Sequence, residues 1–142
     1  MTENIRAKIL AEALREINRH GSDFHMDDLA RNLRISKRTL YENFSSKQEI
    51  IEQAIADFTD KIYAYHQRIV SDPAMTCEAK LIAYFDVPSD NWQVLSVRKT
   101  SDLLAKMPGT CERLQSRYKK DWLLLERLLD EERRSEWPRL RG

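Results

Sequence analysis

Ile35-Ser36-Lys37-Arg38-Thr39-Leu40-Tyr41-Glu42-Asn43-Phe44-Ser45-Ser46-Lys47-Gln48-Glu49 is the stretch whose reading decides the fold. Leu40 and Phe44 stand four residues apart and so share one helical face, and Ser36 sits where an N-cap accepts a free backbone N–H. The spacing predicts a short helix from Lys37 to about Phe44. Ser46-x-x-Glu49 then forms a capping box, so a new helix starts there instead of the old one continuing. With Leu40 at 0° and Phe44 at about 40° on a helical wheel, Tyr41 falls near 100°, Arg38 near 160°, Glu42 near 200° and Thr39 near 260°. These four side chains point away from the core.

Upstream, residues 26–33 predict a two-turn helix with Asp27 and Asp28 in its first turn, where carboxylates favour the positive end of the helix dipole. Leu29 and Leu33 are its buried pair. Arg34-Ile35-Ser36 is a three-residue turn, so the two short helices make a helix-turn-helix, whose second helix is the one that enters a DNA major groove. Residues 4–20 predict an amphipathic helix, with Ile9, Leu10, Ala13 and Ile17 inward and Arg6, Glu12, Arg15 and Arg19 around the rest. Gly21 ends it in a left-handed conformation, and Ser22-Asp23-Phe24 follows as loop.

Downstream, Ile51, Ile55, Phe58, Ile62, Tyr65 and Ile69 form an apolar row over one long fourth helix that Ser71-Asp72-Pro73 stops. Thr76 caps a helix from Cys77 to about Asp86. A further helix is expected over residues 92–107, then a turn at Pro108-Gly109. The last helix is expected from Thr110 to Glu136, with Cys111, Leu114, Tyr118, Trp122, Leu125 and Leu129 on one row and Leu123, Leu124 and Leu128 further round. Residues 137–142 carry no periodicity. The predicted fold class is all-α: a three-helix helix-turn-helix head over 1–46, then a connecting fourth helix and a short helical body over 47–142.

The composition agrees with a folded helical chain. Hydrophobic residues make up 42% and charged residues 33% of 142, with three glycines and four prolines, which excludes collagen-like, low-complexity and wholly disordered classes. The charge is uneven. Window 31–47 holds Arg31, Arg34, Lys37, Arg38 and Lys47 against the single acid Glu42, so it is +4 and the rest of a +1 chain is −3. One basic patch on an otherwise acidic molecule suits a local anionic partner. No apolar run is long enough to cross a bilayer and the N-terminus is charged, so a cytoplasmic protein without membrane contact is expected. Cys77 and Cys111 have no metal-ligand spacing and are expected reduced and buried. His20, His25 and His66 read as surface or capping residues. Without GxSxG, Walker or HExxH patterns, no catalytic residue, metal or cofactor is assigned.

The outward face of the second short helix carries the chemistry. Arg38 suits bidentate hydrogen bonding to guanine O6 and N7, and Glu42 suits acceptance from cytosine N4 or orientation of Arg38. Lys37 and Lys47, each in a first helical turn, suit phosphate contacts. With His25, Arg34, Ser36, Thr39 and Tyr41 they make up the expected DNA-contact set. Ile62, Tyr84, Trp92, Tyr118 and Trp122 are candidates for lining an effector pocket, against the alternative that aromatic residues on helical rows are plain core.

Residues 5–55 resemble the N-terminal domain of the TetR/AcrR family of bacterial transcriptional regulators. The resemblance rests on Gly21, Met26-Asp27-Asp28-Leu29-Ala30, the Ile35 to Phe44 run and Ser46-Lys47-Gln48-Glu49, with Leu40, Tyr41, Phe44 and Lys47 at the family's spacing. It implies a homodimeric repressor of a palindromic operator, released by a small-molecule effector. It also implies that Tyr41 and Lys47 contact the DNA backbone, and that the helices after the fourth bind the effector and dimerise. Three positions depart from the pattern. Arg34 stands where glycine is usual and would cost on the order of 1 to 2 kcal/mol if left-handed. His25 replaces a better-capping Thr or Ser. Family members usually run longer, so dimerisation is expected either to be lost or to use residues 110–136 differently. A helical protein-interaction module with a non-functional head is the alternative function.

Overall fold

The computed structural model describes residues 4–86 and 97–141, with the side chains of residue 97 and of residues 135–141 left aside. Among the described residues there are seven α-helices and no strand: α1 (Ile5–His20), α2 (Met26–Leu33), α3 (Lys37–Asn43), α4 (Lys47–Ser71), α5 (Cys77–Phe85), α6 (Val97–Ala105) and α7 (Pro108–Arg141). The all-α class is as read from the sequence. Residues 92–96 of the expected sixth helix lie outside the described residues.

Local chemistry explains the helix ends. Asn4 caps α1 by accepting the Arg6 N–H at 3.0 Å, and Ser36 and Thr76 do the same for α3 and α5. Ser46 Oγ accepts the Glu49 N–H at 3.1 Å, while the Glu49 carboxylate reaches back one residue further than a standard box and accepts the Ser45 N–H at 2.7 Å. Gly21 closes α1 at φ 62° and ψ −133°, a positive-φ conformation outside the expected left-handed helical well, and opens a 3-10 turn over Gly21–Asp23 where plain loop was expected. Pro108 is not in a turn. It is the first residue of α7, where its fixed φ suits a helix start and its missing N–H costs nothing. The last helix likewise runs on to Arg141, past the expected end at Glu136.

The chain packs as two compact units, Met1–Phe58 with Ser89–Leu114, and Thr59–Pro88 with Gln115–Gly142. The unit containing the head therefore extends beyond residue 46 and takes in the first half of α4 and residues of α6 and α7. Its core joins Ile9, Ala13 and Ile17 of α1 with Phe24, Leu29, Leu40, Phe44, Ile50, Ile55, Leu103 and Leu114, all almost fully buried. Two carboxylates are buried in the same unit. Glu12 and Glu16 share the Asn32 amide, which donates to them at 3.2 and 3.0 Å, and Arg15 and Arg19 pair with them at 2.7 and 3.0 Å. Glu12 is thus no solvent-face residue: buried charge is tolerated here because each carboxylate has a cation and a shared amide donor.

The second unit has its own polar core. His66 is 4% exposed, its Nδ1 lies 2.5 Å from Asp121 Oδ1, and its Nε2 lies 2.8 Å from the Tyr84 carbonyl oxygen. The imidazole stacks on the Tyr84 ring at 3.6 Å, and the Tyr84 hydroxyl donates to the Asp121 carbonyl at 2.9 Å. Burial, with Asp121 beside it, pushes the Tyr84 phenol well above the usual tyrosine range. The surface reading of His66 is therefore corrected: both ring nitrogens are engaged inside the unit. The cysteines are corrected too, since Cys77 is half-buried and Cys111 exposed. On α7 the covered row is Thr110, Leu114, Leu124, Leu125 and Leu128, whereas Tyr118, Trp122, Leu123 and Leu129 face outward. The covered face thus corrects the expected rows: it takes Leu114 and Leu125 from the row of Cys111 and Leu124 and Leu128 from the other, and leaves members of both outside.

Candidate nucleic-acid interface

The interface is built on α2, the turn and α3. Leu29, Leu40 and Phe44 anchor the two helices inward, which leaves Arg38 at 88% and Glu42 at 59% side-chain exposure and Tyr41 half exposed. The wheel placed Arg38, Glu42 and Tyr41 on this open face from their angles alone. Thr39 is half-buried, with its hydroxyl 2.9 Å from Ser36 Oγ, so both hydroxyls serve the start of α3 as well as facing outward. His25 is exposed and N-caps α2 with no side-chain hydrogen bond, in keeping with a weak cap.

Arg34 ends α2 in the left-handed conformation, at φ 58° and ψ 42°. Its backbone N–H donates to the Ala30 and Arg31 carbonyls, which satisfies the end of the helix, and its side chain projects from the turn into solvent. Among the described residues no acid pairs with it.

The other cations of the patch have partners. Lys37 lies 3.0 Å from Asp27 of α2, and Arg38 Nε lies 3.2 Å from Glu42 one turn on. The Lys37 ammonium holds the Asp27 carboxyl below the usual carboxylate range, and Asp27 raises Lys37 in return. Asp27 was read from sequence only as a helix-start acid, so its place beside the DNA-facing lysine is new. Both side chains are more than half exposed, and an exposed pair of this kind is weak enough to exchange for a phosphate.

Two further cations touch the ends of the helix-turn-helix. Arg6 of α1 donates to the Asn43 carbonyl at the end of α3, and its guanidinium lies 4.3 Å over the Phe44 ring. Lys47 is turned inward: its ammonium donates to the Ser22 and Phe24 carbonyls and lies 4.5 Å over the Phe24 ring. Burial pushes its pKa down. Arg6 was read as a solvent-face residue, because only the return of α3 past the start of α1 gives it an acceptor.

Of the candidate effector residues four are described, and they differ in burial. Tyr84 is core, Ile62 is half-buried, and Tyr118 and Trp122 face solvent, with the indole N–H of Trp122 donating to Glu126 on its own helix at 2.7 Å. Trp92 lies outside the described residues. No group of His, Cys, Asp or Glu among the described residues has metal-site geometry, and no described helix is long and apolar enough to cross a membrane.

Comparison with known proteins agrees with this geometry. Over 124 residues the chain is 27% identical to the uncharacterized HTH-type transcriptional regulator YvaF of Bacillus subtilis (strain 168), an alignment that covers 87% of this chain. The chain spans 65% of that relative's length. No solved structure matches. Residues 9–54, which hold α1 to α3 and the start of α4, match the family described as bacterial regulatory proteins, tetR family. By its helix-turn-helix head, residues 9–54, the chain is similar to the tetR family of bacterial regulatory proteins.

Proposed function

We propose that this chain is a sequence-specific, DNA-binding transcriptional regulator that presents α3 to the major groove. The observation that carries the reading is the open basic face: Arg38, Glu42 and Tyr41 stand exposed on a helix whose opposite side is locked in the core, with the unpaired Arg34 beside them. In this reading Arg38 reads a guanine, and Glu42 either orients Arg38 or accepts from a cytosine. His25, Arg34, Ser36, Lys37, Thr39 and Tyr41 meet the backbone and fix the register. Repression, with release by a small molecule bound in the helical body, is the mode that the family resemblance favours.

Function as a homodimer belongs to the same proposal. The outward apolar residues Tyr118, Trp122 and Leu129 on α7 support a contact between copies, since exposed apolar rows mark association surfaces. Two heads so held would address half-sites roughly 34 to 36 Å apart. Selection from a random duplex pool tests the function: enrichment of a palindromic site is expected. Two phosphate-binding cations on each of two heads give a salt slope near −3.6, so affinity for a mixed-sequence duplex should fall about 150-fold between about 50 and 200 mM salt. Recovery of no sequence together with no duplex binding at low salt would overturn the reading. Sedimentation of the purified chain tests the dimer, which a stable monomer would exclude.

A further inference from the structure

Asp27 is an acid among the cations of the proposed DNA face. It stands in the first turn of α2 with its side chain 64% exposed, and Lys37, 3.0 Å away, is its one ion-pair partner among the described residues. Arg31 of the same helix pairs instead with Asp28, at 3.1 Å. The helix start does not by itself account for Asp27, because Asp28 already brings a carboxylate to that turn. Lys37 is the first residue of α3, and the early residues of a recognition helix are those that meet base edges in the major groove. A carboxylate 3.0 Å from the Lys37 ammonium therefore lies at the reading end of α3.

Lys37 holds the Asp27 carboxyl below the usual carboxylate range, so DNA meets an ionised group that accepts hydrogen bonds and donates none. Most of what a duplex offers such a group is repulsive. Phosphate oxygens, guanine O6 and N7 and thymine O4 are all acceptors, and the major-groove donors are the cytosine N4 and adenine N6 amines. Adenine sets its amine beside the N7 acceptor, whereas cytosine shows a donor alone.

We infer, on the DNA-binding reading above, that Asp27 is a specificity-determining residue: it accepts from the N4 amine of a cytosine facing the start of α3, while Lys37 leaves it for a phosphate. At a cytosine the exchange is balanced, since the ammonium trades a carboxylate for a phosphate and the carboxylate trades the ammonium for a base amine. At a guanine or thymine the carboxylate faces acceptors. Lys37 then either stays with Asp27 and forgoes its phosphate, or leaves an unpaired carboxylate beside a polyanion. The repulsion thus falls on the wrong sequence, which is how a selective interface rejects competitors.

Binding-site selection and duplex titration with the parent chain, Asp27→Ala and Asp27→Asn test this, with melting curves to establish that each variant is folded. The parent should prefer cytosine at one position of the selected site by about fivefold or more, the lower end of one base contact. Asp27→Ala should lose that preference and keep the others. It should also bind a mixed-sequence duplex up to about fivefold more tightly, because one exposed ion pair no longer competes for Lys37. Asp27→Asn should gain the same affinity and move that position towards adenine, whose N6 and N7 an amide pairs bidentately. Unchanged preference at every position in Asp27→Ala overturns the inference even where affinity rises, since Asp27 would then only compete for Lys37. A folded Asp27→Ala that binds mixed-sequence duplex more weakly also overturns it, because Asp27 would then only hold Lys37 in place. Should Asp27→Ala not fold, the same two readouts on Asp27→Asn decide. A parent chain that binds no duplex at low salt sinks the DNA reading and this inference with it, whereas a parent that selects a site keeps the reading whatever becomes of Asp27.

Discussion

Replacing Arg34 with glycine is expected to stabilise the head and weaken its hold on DNA at the same time. The residue occupies φ 58° and ψ 42°, where an L side chain crowds its own carbonyl at a cost of about 1 to 2 kcal/mol. Glycine removes that strain and returns about 0.5 to 1 kcal/mol as greater freedom of the unfolded chain, so the net gain is about 0.5 to 1 kcal/mol. The side chain is exposed and pairs with no acid among the described residues, and the two hydrogen bonds from its backbone N–H survive the change. For a chain of this length that gain raises the melting temperature by about 1 to 4 °C. If the guanidinium meets a phosphate, the salt slope becomes shallower by about 0.9. Arg34→Ala separates the two effects, since alanine keeps the strain and loses the charge: it should match glycine in slope and the parent in stability. Thermal melts of the three proteins, followed by helical circular dichroism, check the first effect and salt titrations of duplex binding the second. A glycine variant that melts no higher than the alanine variant would refute the strain argument.

Arg38→Ala should cost about 1 to 3 kcal/mol at one operator position and relax preference there, whereas Tyr41→Phe should weaken all duplexes alike; binding-site selection with each variant checks the contrast. Asp27→Asn should strengthen duplex binding by freeing Lys37, as measured by titration at fixed salt. The Asp27 carboxyl is held below its ordinary value of 3.8, so the pair's contribution is fully present above that value and is lost as pH falls through the lower folded-state value. A carboxyl resonance for Asp27 that titrates at or above 3.8 would contradict this. Asp121→Ala removes the partner of His66 Nδ1 inside the second unit and should cost about 1 to 3 kcal/mol in urea unfolding, because a buried polar atom is left unsatisfied.

How legible these features are in the sequence follows from how far apart their parts lie. Ser36, Ser46 and Thr76 cap helices by reaching three residues ahead, so spacing alone reveals them. Leu40 and Phe44 declare the inner face of α3, and the outward places of Arg38, Glu42 and Tyr41 follow by rotation. His66 is opaque for the opposite reason: its carboxylate partner is Asp121, 55 residues on, and nothing near it in sequence announces a buried ring. Glu12 looks like solvent-facing charge on a wheel because the amide that receives it, Asn32, belongs to another helix. On α7 apolar residues lie so far round the helix that periodicity cannot say which will be covered, and the buried set, Leu114, Leu124, Leu125 and Leu128, is drawn from both rows. The contacts of Lys47 with the Ser22 and Phe24 carbonyls are equally hidden, because these acceptors lie 25 and 23 residues upstream.

The shared amide of Asn32 also bears on how such a protein can be rebuilt or diversify. Glu12 and Glu16 form a matched lock with one residue of α2, so the two helices are not interchangeable parts. A chimera that imports α2 with an aliphatic residue at position 32 would bury two carboxylates one donor short, and one that imports an aspartate there would crowd three acids together. The outward positions of α3 carry no such debt to α1. Positions 38 and 42 can therefore be exchanged with the scaffold kept, while a donor of α2 must bring its own α1.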